Sequence, residues 1–138
     1  MWLVFALLSA LFAAATAILA KIGLNDIDSN LATAIRTAVV FVLAWGMVFL
    51  TGAQKGIHTL TRNNATFLVL SGIATGLSWL CYYRALQMAD VSKVVPIDKL
   101  SIVLTLIMAF VILKEPFTLK TGLATTLITA GVLILAVK

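Results

Sequence analysis

Five apolar runs, each about as long as a membrane-spanning helix, account for most of this chain of 138 residues. A helix needs about 20 apolar residues to cross the hydrocarbon core of a bilayer. The runs cover residues 2–20, 32–50, 65–86, 94–113 and 119–137. Because only short polar segments separate them, no soluble domain fits between the runs. The sequence predicts an all-α polytopic membrane protein of five transmembrane helices, with residues 1–138 forming a single domain.

The composition excludes several other functions. The chain is 62% hydrophobic and 11% charged, against about a quarter charged residues in soluble domains. Its net charge is +5, but the basic residues are scattered singly near the ends of the runs. A protein that binds nucleic acid would cluster them along a phosphate backbone. We expect no nucleic-acid partner.

Residues for catalysis or metal binding are also missing. The one cysteine, Cys81, lies in an apolar run and the one histidine, His58, lies in a polar loop. No Ser/His/Asp set, no spacing of metal ligands and no glycine-rich phosphate loop is present. We expect no enzyme activity, no metal and no cofactor.

Three charged residues, Arg36, Asp98 and Lys99, lie inside the apolar runs. A charge in the bilayer costs about 2.5–3.5 kcal/mol on insertion scales, so it usually faces a partner, a cavity or a pathway. Adjacent helical side chains point about 100° apart, so Asp98 and Lys99 are not expected to pair cleanly. Arg36 lies at a similar depth and is the predicted partner of Asp98. The pair either pins two helices together or lines a cavity, and Lys99 either joins it or extends to the headgroups.

The third run carries a stripe of small and aromatic residues. At 100° per residue, Gly72, Gly76, Trp79 and Tyr83 fall within a sector about 60° wide. The two glycines form a GxxxG pattern, which favours close helix packing. The two rings are either an interfacial anchor or the wall of a substrate pocket.

Polar faces also follow the last two runs. Asp98, Ser101 and Thr105 share one face of the fourth run. Pro96 is either a first-turn proline or the mark of an interrupted helix, as found near transporter binding sites. In the fifth run Gly122, Thr125 and Thr129 lie on a stripe that indicates helix packing, and Glu115 is expected to cap that helix.

Several of these segments together resemble the EamA-type proteins of the drug/metabolite transporter superfamily. Residues 82–86 (YYRAL) and 91–97 (VSKVVPI) look like the end of that family's third helix and the start of its fourth. Residues 113–116 (LKEP) look like its link between the fourth and fifth helices. Lys21, Gly122 and the Gly131-Val132 pair also fit the pattern.

The resemblance implies a membrane transporter that works as a homodimer. Most members resemble two fused copies of five helices, whereas this chain has one copy, like the short bacterial and archaeal branch. A second copy would then complete the transporter in a bacterial or archaeal cytoplasmic membrane. Members are associated with the export of amino acids, other metabolites or drugs.

The distribution of Lys and Arg does not define an orientation. The side of the N-terminus carries Lys55, Arg62, Lys114 and Lys120. The other side carries three cations, Lys21, Lys93 and Lys138. It carries six when Arg36, Arg84 and Lys99, which lie nearer that side, are added. The rule is noisy for small proteins; alternatively, the chain inserts both ways and forms an antiparallel dimer from two inverted repeats.

The predicted function is secondary transport, with export of a small polar or amphipathic metabolite by alternating access. The expected pathway residues are Arg36, Trp79, Tyr83, Asp98, Lys99, Ser101 and Thr105. The alternative is a non-transporting membrane subunit, in which the charge pair only holds helices together. A channel would need a continuous polar lining, and the runs are too apolar for one.

Overall fold

A computed structural model describes residues 1–136 of the chain. Its helices are α1 (Trp2–Gly23), α2 (Ser29–Thr51), a 3-10 helix (Ala53–Thr59), α3 (Arg62–Met88), α4 (Val91–Asp98), α5 (Leu100–Ile112) and α6 (Leu119–Ala136). The described residues contain no strand. Five segments are long and apolar enough to cross a membrane: α1, α2, α3, α4 together with α5, and α6. The predicted all-α polytopic membrane fold is confirmed. The predicted last residue of the fifth span, Val137, and Lys138 lie outside the described residues.

Short polar side chains and one glycine set the helix ends. The Oδ1 atom of Asp28 accepts hydrogen bonds from the N–H groups of Asn30 at 2.8 Å and Leu31 at 3.3 Å, which caps α2. At the other end Gly52 adopts φ 73°, a left-handed conformation that glycine tolerates best. Thr118, and not Glu115, caps α6: its hydroxyl accepts a hydrogen bond from the Thr121 N–H at 3.1 Å. The predicted Glu115 cap is wrong because that residue lies four positions before Leu119, too far back for a capping contact.

Apolar side chains point outward along the spans. Val42, Leu68 and Leu127 expose 67%, 62% and 73% of their surfaces. In water such an exterior would be unfavourable, whereas lipid tails are as apolar as these side chains. The exposed apolar surface therefore agrees with a protein embedded in a bilayer.

The chain divides into two compact units. The Arg36 unit is Leu19–Gln87 and contains the end of α1, α2, the 3-10 helix and α3. The Asp98 unit consists of Met1–Ile18 and Met88–Lys138 and contains the rest of α1 with α4, α5 and α6. That residues 1–138 form a single domain stays a prediction.

One end of the Arg36 unit is held by hydrogen bonds to backbone carbonyls. Lys21 donates from Nζ to the carbonyl of Leu86 at 2.6 Å, in the last turn of α3. A cation there satisfies a carbonyl that has no partner in the helix and complements the helix dipole. Gln87 donates from Nε2 to the carbonyl of Ile27 at 2.7 Å. These bonds connect the end of α3 to the segment that precedes α2.

In the Asp98 unit α6 packs along both α4 and α5. Val94 on α4 and Val132 on α6 are buried. At the connection between α5 and α6, the rings of Phe110 and Phe117 meet edge to face with centroids 5.7 Å apart. Apolar contacts along α6 therefore hold together the two parts of the fourth span.

The fourth span is interrupted at Lys99. Helix α4 ends at Asp98 and α5 begins at Leu100. The Lys99 N–H donates to the carbonyls of Val95 at 3.2 Å and Pro96 at 3.0 Å, and the Ile102 N–H donates to the Lys99 carbonyl at 3.0 Å. Bonds to the third preceding residue tighten the chain into a 3-10 turn. Because α4 begins at Val91, Pro96 is its sixth residue, so the first-turn interpretation is wrong and the interrupted helix is present.

Candidate functional site

The Arg36 guanidinium lies over two aromatic rings of α3. Its Cζ atom is 3.9 Å from the centroid of the Trp79 ring and 5.6 Å from that of Tyr83. A guanidinium within about 6 Å of a ring centroid is attracted to the negative face of the ring, most strongly for Trp. The structure therefore joins three of the predicted pathway residues in one cluster, which we call the Arg36 cluster.

The fold of the Arg36 unit explains why these residues meet. Helices α2 and α3 follow each other in the chain. Arg36 lies 15 residues before Thr51, the end of α2, and Trp79 lies 17 residues after Arg62, the start of α3. Because consecutive spans cross a membrane in opposite directions, residues at similar distances from their connection lie at similar depths. The contact was not predicted from the sequence, although these similar spacings of 15 and 17 residues could have revealed it.

The Arg36 cluster is partly enclosed. Tyr83 exposes only 4% of its surface, whereas Arg36 and Trp79 are half-buried. Within residues 19–87, all of which the structure describes, no atom accepts a hydrogen bond from the Arg36 guanidinium. A guanidinium carries five N–H donors, and the face of a ring satisfies none of them in the guanidinium plane. The cluster is thus a cation with an apolar support and open hydrogen-bonding edges.

Asp98 and Lys99 form an ion pair at the interruption of the fourth span. Lys99 donates from Nζ to Oδ2 of Asp98 at 3.4 Å, with the side chains 47% and 36% exposed. The expectation that these neighbours do not pair is wrong. The expectation considered only the directions in which the two side chains leave the backbone, whereas the long Lys99 side chain bends back to the neighbouring carboxylate. The pair between Arg36 and Asp98 joins residues of different units and stays a prediction.

The polar face predicted for the fourth span crosses the interruption. Asp98 ends α4, whereas Ser101 and Thr105 lie on α5 and are exposed. The role of this face in a substrate pathway stays a prediction.

The small residues differ in what surrounds them. A Cβ atom built on Gly72 or Gly76 meets no heavy atom within 4 Å, so a packing partner for the GxxxG pattern stays a prediction. A Cβ on Gly122 meets Cζ of Phe117 at 3.0 Å. The hydroxyls of Thr125 and Thr129 donate to the carbonyls four residues earlier, both at 2.8 Å. Only Gly122 therefore lies at a close contact.

The Asp98 unit contains an apolar cavity of about 210 Å³ that the sequence did not predict. It is lined by Leu106, Ile107, Phe110, Phe117 and Thr125. The only polar side chain of this lining, Thr125, donates its hydroxyl hydrogen to the Thr121 carbonyl. Recognition of a polar solute requires polar groups that are free to bind it. The cavity therefore offers less to such a solute than the Arg36 cluster does.

Comparisons with known proteins identify the family of the chain. The model of the EamA-like transporter family matches residues 1–137. A Sinorhizobium sp. protein described as "uncharacterized transporter in cobO 3'region" is 45% identical over 136 residues, which is 99% of this chain and 96% of that protein. No solved structure matches the chain. The chain is a membrane transporter by family, and it belongs to the EamA-like transporter family.

Proposed function

We propose that the chain is a secondary active transporter that exports a small polar or amphipathic metabolite as a homodimer. The observation that carries this proposal is the Arg36 cluster. A cation within a membrane span is costly unless it has a partner or serves a pathway, and here the contacts within the unit are aromatic rings rather than a carboxylate. A protein that only anchored helices would have no need of this charge.

The interrupted fourth span supports the same proposal. Transporters form their substrate and ion sites from discontinuous membrane helices, whose free backbone groups and charges lie at the break. Here the break falls at Lys99, directly beside Asp98. We propose that Asp98, Lys99, Ser101 and Thr105 contribute to the pathway together with Arg36, Trp79 and Tyr83. Asp98 is the only acidic residue inside a predicted span, so it is the proposed proton-coupling group.

The dimer is proposed from the single set of five spans. The Sinorhizobium relative is matched over 96% of its own length, so the two chains are of similar length. Alternating access by two inverted repeats then requires a second copy. The open surface at Gly72 and Gly76 is suited to that contact, since nothing lies within 4 Å of a Cβ built on either. The membrane is proposed to be the bacterial or archaeal cytoplasmic membrane.

An uptake screen tests the proposed function. Purified protein is reconstituted in liposomes, incubated with pools of radiolabelled metabolites and compared with protein-free liposomes. We expect protein-dependent accumulation or release of at least one solute. The rival, a non-transporting subunit, predicts that no solute gradient is dissipated. That outcome would contradict the proposed function.

Cysteine labelling tests the antiparallel dimer. Cys81 is replaced by Ser, and a single cysteine is placed at Lys55, in the connection between α2 and α3. We expect a membrane-impermeant maleimide to label about half of the copies from each side, because Lys and Arg are nearly balanced between the sides. A reporter fused at Lys138 is the control and should be active on both sides. Labelling from one side alone would exclude dual topology.

A further inference from the structure

We propose that Arg36 binds a carboxylate of the transported solute, so that the substrate is an organic anion with an apolar body. This inference rests on the proposed function, because it names the substrate class of that transporter. Its basis is the unmatched charge of the Arg36 cluster.

No carboxylate of the Arg36 unit lies on its membrane helices. The acidic residues of Leu19–Gln87 are Asp26 and Asp28, and both precede α2. Asp28 is already used, since its Oδ1 atom caps α2. The unit has a net positive charge, because it contains four other cations besides Arg36: Lys21, Lys55, Arg62 and Arg84. The unit therefore favours an anion and supplies none at Arg36.

The geometry of Arg36 leaves its donors available. Trp79 covers one face of the guanidinium at 3.9 Å. The N–H groups point outward in the guanidinium plane, and no acceptor within residues 19–87 bonds to them. A planar fork of this kind binds a carboxylate through two parallel hydrogen bonds. Stacking on Trp79 limits the freedom of the guanidinium and so orients the fork before a solute arrives.

Tyr83 offers a second donor beside the cluster. Its ring centroid is 5.6 Å from Cζ of Arg36, and the residue exposes only 4% of its surface. Within residues 19–87 no hydrogen bond to its hydroxyl is present. The hydroxyl oxygen is not enclosed, although the rest of the residue is, so the hydroxyl can donate to an anionic oxygen that reaches it. The rings of Trp79 and Tyr83 would contact the apolar part of the solute.

An anionic lipid offers the same chemistry through its phosphate. Arg36 lies seven residues after Ser29, the first residue of α2, which is about 10 Å along the helix. Headgroup phosphates lie at the membrane surface, whereas a small solute can enter a pathway at this depth. The depth of Arg36 favours the solute, and the experiment separates the two sources.

The test compares carboxylates with their uncharged amides. Wild-type protein in phosphatidylcholine nanodiscs is titrated by calorimetry with phenylacetate and phenylacetamide, and with butyrate and butyramide. We expect each carboxylate to bind about tenfold or more tightly than its amide, because a charge-assisted bidentate contact is lost in the amide. Arg36→Gln should reduce carboxylate affinity to that of the amide and leave amide affinity unchanged.

Two further variants control the result. Arg84, whose Nη1 donates to Oε1 of Gln87 at 3.0 Å, lies on the same helix as Trp79, and Arg84→Gln should leave the carboxylate preference intact. Arg36→Lys retains the charge but not the fork, so it should bind carboxylates with intermediate affinity even if Arg36→Gln folds poorly.

Three results would each overturn the proposal. They are equal binding of carboxylate and amide, no binding of either carboxylate, and equal effects of Arg36→Gln and Arg84→Gln. Stabilisation by phosphatidylglycerol that depends on Arg36 while neither carboxylate binds would also overturn it, since the anion would then be a lipid. Carboxylate binding without uptake into liposomes would contradict the proposed function and leave the anion site intact. Uptake of neutral solutes that is insensitive to Arg36→Gln would support the proposed function and contradict the anion site.

Discussion

Arg36 and Lys99 are both cations inside membrane spans, but their surroundings differ. Arg36 lies within the continuous helix α2 and rests on the Trp79 ring at 3.9 Å. Lys99 lies at the break between α4 and α5 and donates to the Asp98 carboxylate at 3.4 Å. One charge is supported by an aromatic face in regular structure. The other is matched by a carboxylate where regular structure stops.

The difference indicates what each charge can do. A carboxylate neutralises a cation and occupies its hydrogen-bond donors, whereas an aromatic face attracts the cation and leaves the donors open. Arg36 is therefore the better site for a solute anion. Asp98 and Lys99 are better suited to a local change of charge or helix shape at the break.

The comparison fails most completely if Arg36 and Asp98 are coupled to each other. Both have partners within their own units, so we expect Arg36→Gln and Asp98→Asn to change stability additively, within about 0.5 kcal/mol. Denaturation in detergent of the two single variants and the double variant measures this. As the control, Asp98→Asn with Lys99→Gln should be non-additive, because these residues are in contact.

Recovery of stability in the Arg36→Gln, Asp98→Asn double variant would show that Arg36, like Lys99, is matched by a carboxylate. The difference between the two cations would then no longer hold. Removing one partner of a buried ion pair costs about 3–5 kcal/mol, and removing both restores much of that loss. Such a recovery would establish the pair that the sequence predicts.

The aromatic support of Arg36 is tested by Trp79→Ala. A desolvated cation–π contact contributes about 2 kcal/mol, so solute affinity should fall about 30-fold, with expression and dimerisation close to normal. Trp45→Ala is the matched control, because Trp45 contacts Phe41 and Phe49 on its own helix and no cation among residues 1–136. If Trp79→Ala instead unfolds the protein, the stripe is a packing surface and the pocket must be sought at Asp98, Ser101 and Thr105.

Two glycine variants extend the comparison to packing. Gly122→Leu should destabilise the folded chain by about 1–3 kcal/mol, because its Cβ would already meet Phe117 at 3.0 Å. Gly76→Leu should leave the stability of the single chain unchanged and weaken the dimer, since a Cβ there meets nothing within 4 Å. Thermal unfolding and size-exclusion chromatography in detergent separate the two effects. A dimer unaffected by Gly76→Leu would contradict the role of the GxxxG face.

The smallest expected effect concerns the start of α6. Thr118→Ala removes the hydroxyl that accepts from the Thr121 N–H and should lower stability by about 1 kcal/mol. Glu115→Ala should have little effect, since Glu115 does not cap the helix. Thermal unfolding of both variants measures the difference. A larger loss for Glu115→Ala would reverse this assignment.

The spans could be predicted from the sequence, because hydrocarbon thickness fixes the length of an apolar run. Their ends were less predictable: the fourth span begins at Val91, three residues before the predicted start. Asp90, an N-cap residue type, accepts hydrogen bonds from the N–H groups of Lys93 and Val94 through its carbonyl and so extends the helix backwards. A count of apolar residues omits the polar residues of the first turn, so it places the start of the helix too late.

The partners of the charges could not be predicted in the same way. Opposite charge predicts Asp98 as the partner of Arg36, and the stripe of the third run predicts Trp79 only as a wall or an anchor. The angle of about 100° between neighbouring side chains also argued against a contact between Asp98 and Lys99, because it leaves out the length and flexibility of the lysine side chain. Run length determines which residues lie in the membrane, but side-chain contacts depend on how the helices pack and where they break.

Counterflow in proteoliposomes tests the central claim most directly. Liposomes are loaded with an excess of an unlabelled solute identified by the uptake screen, and the entry of trace labelled solute is followed. A transporter that alternates its access predicts saturable uptake that the internal solute accelerates, and Arg36→Gln should abolish the acceleration for a carboxylate solute. Entry that rises linearly with concentration and is unaffected by internal solute would contradict the account.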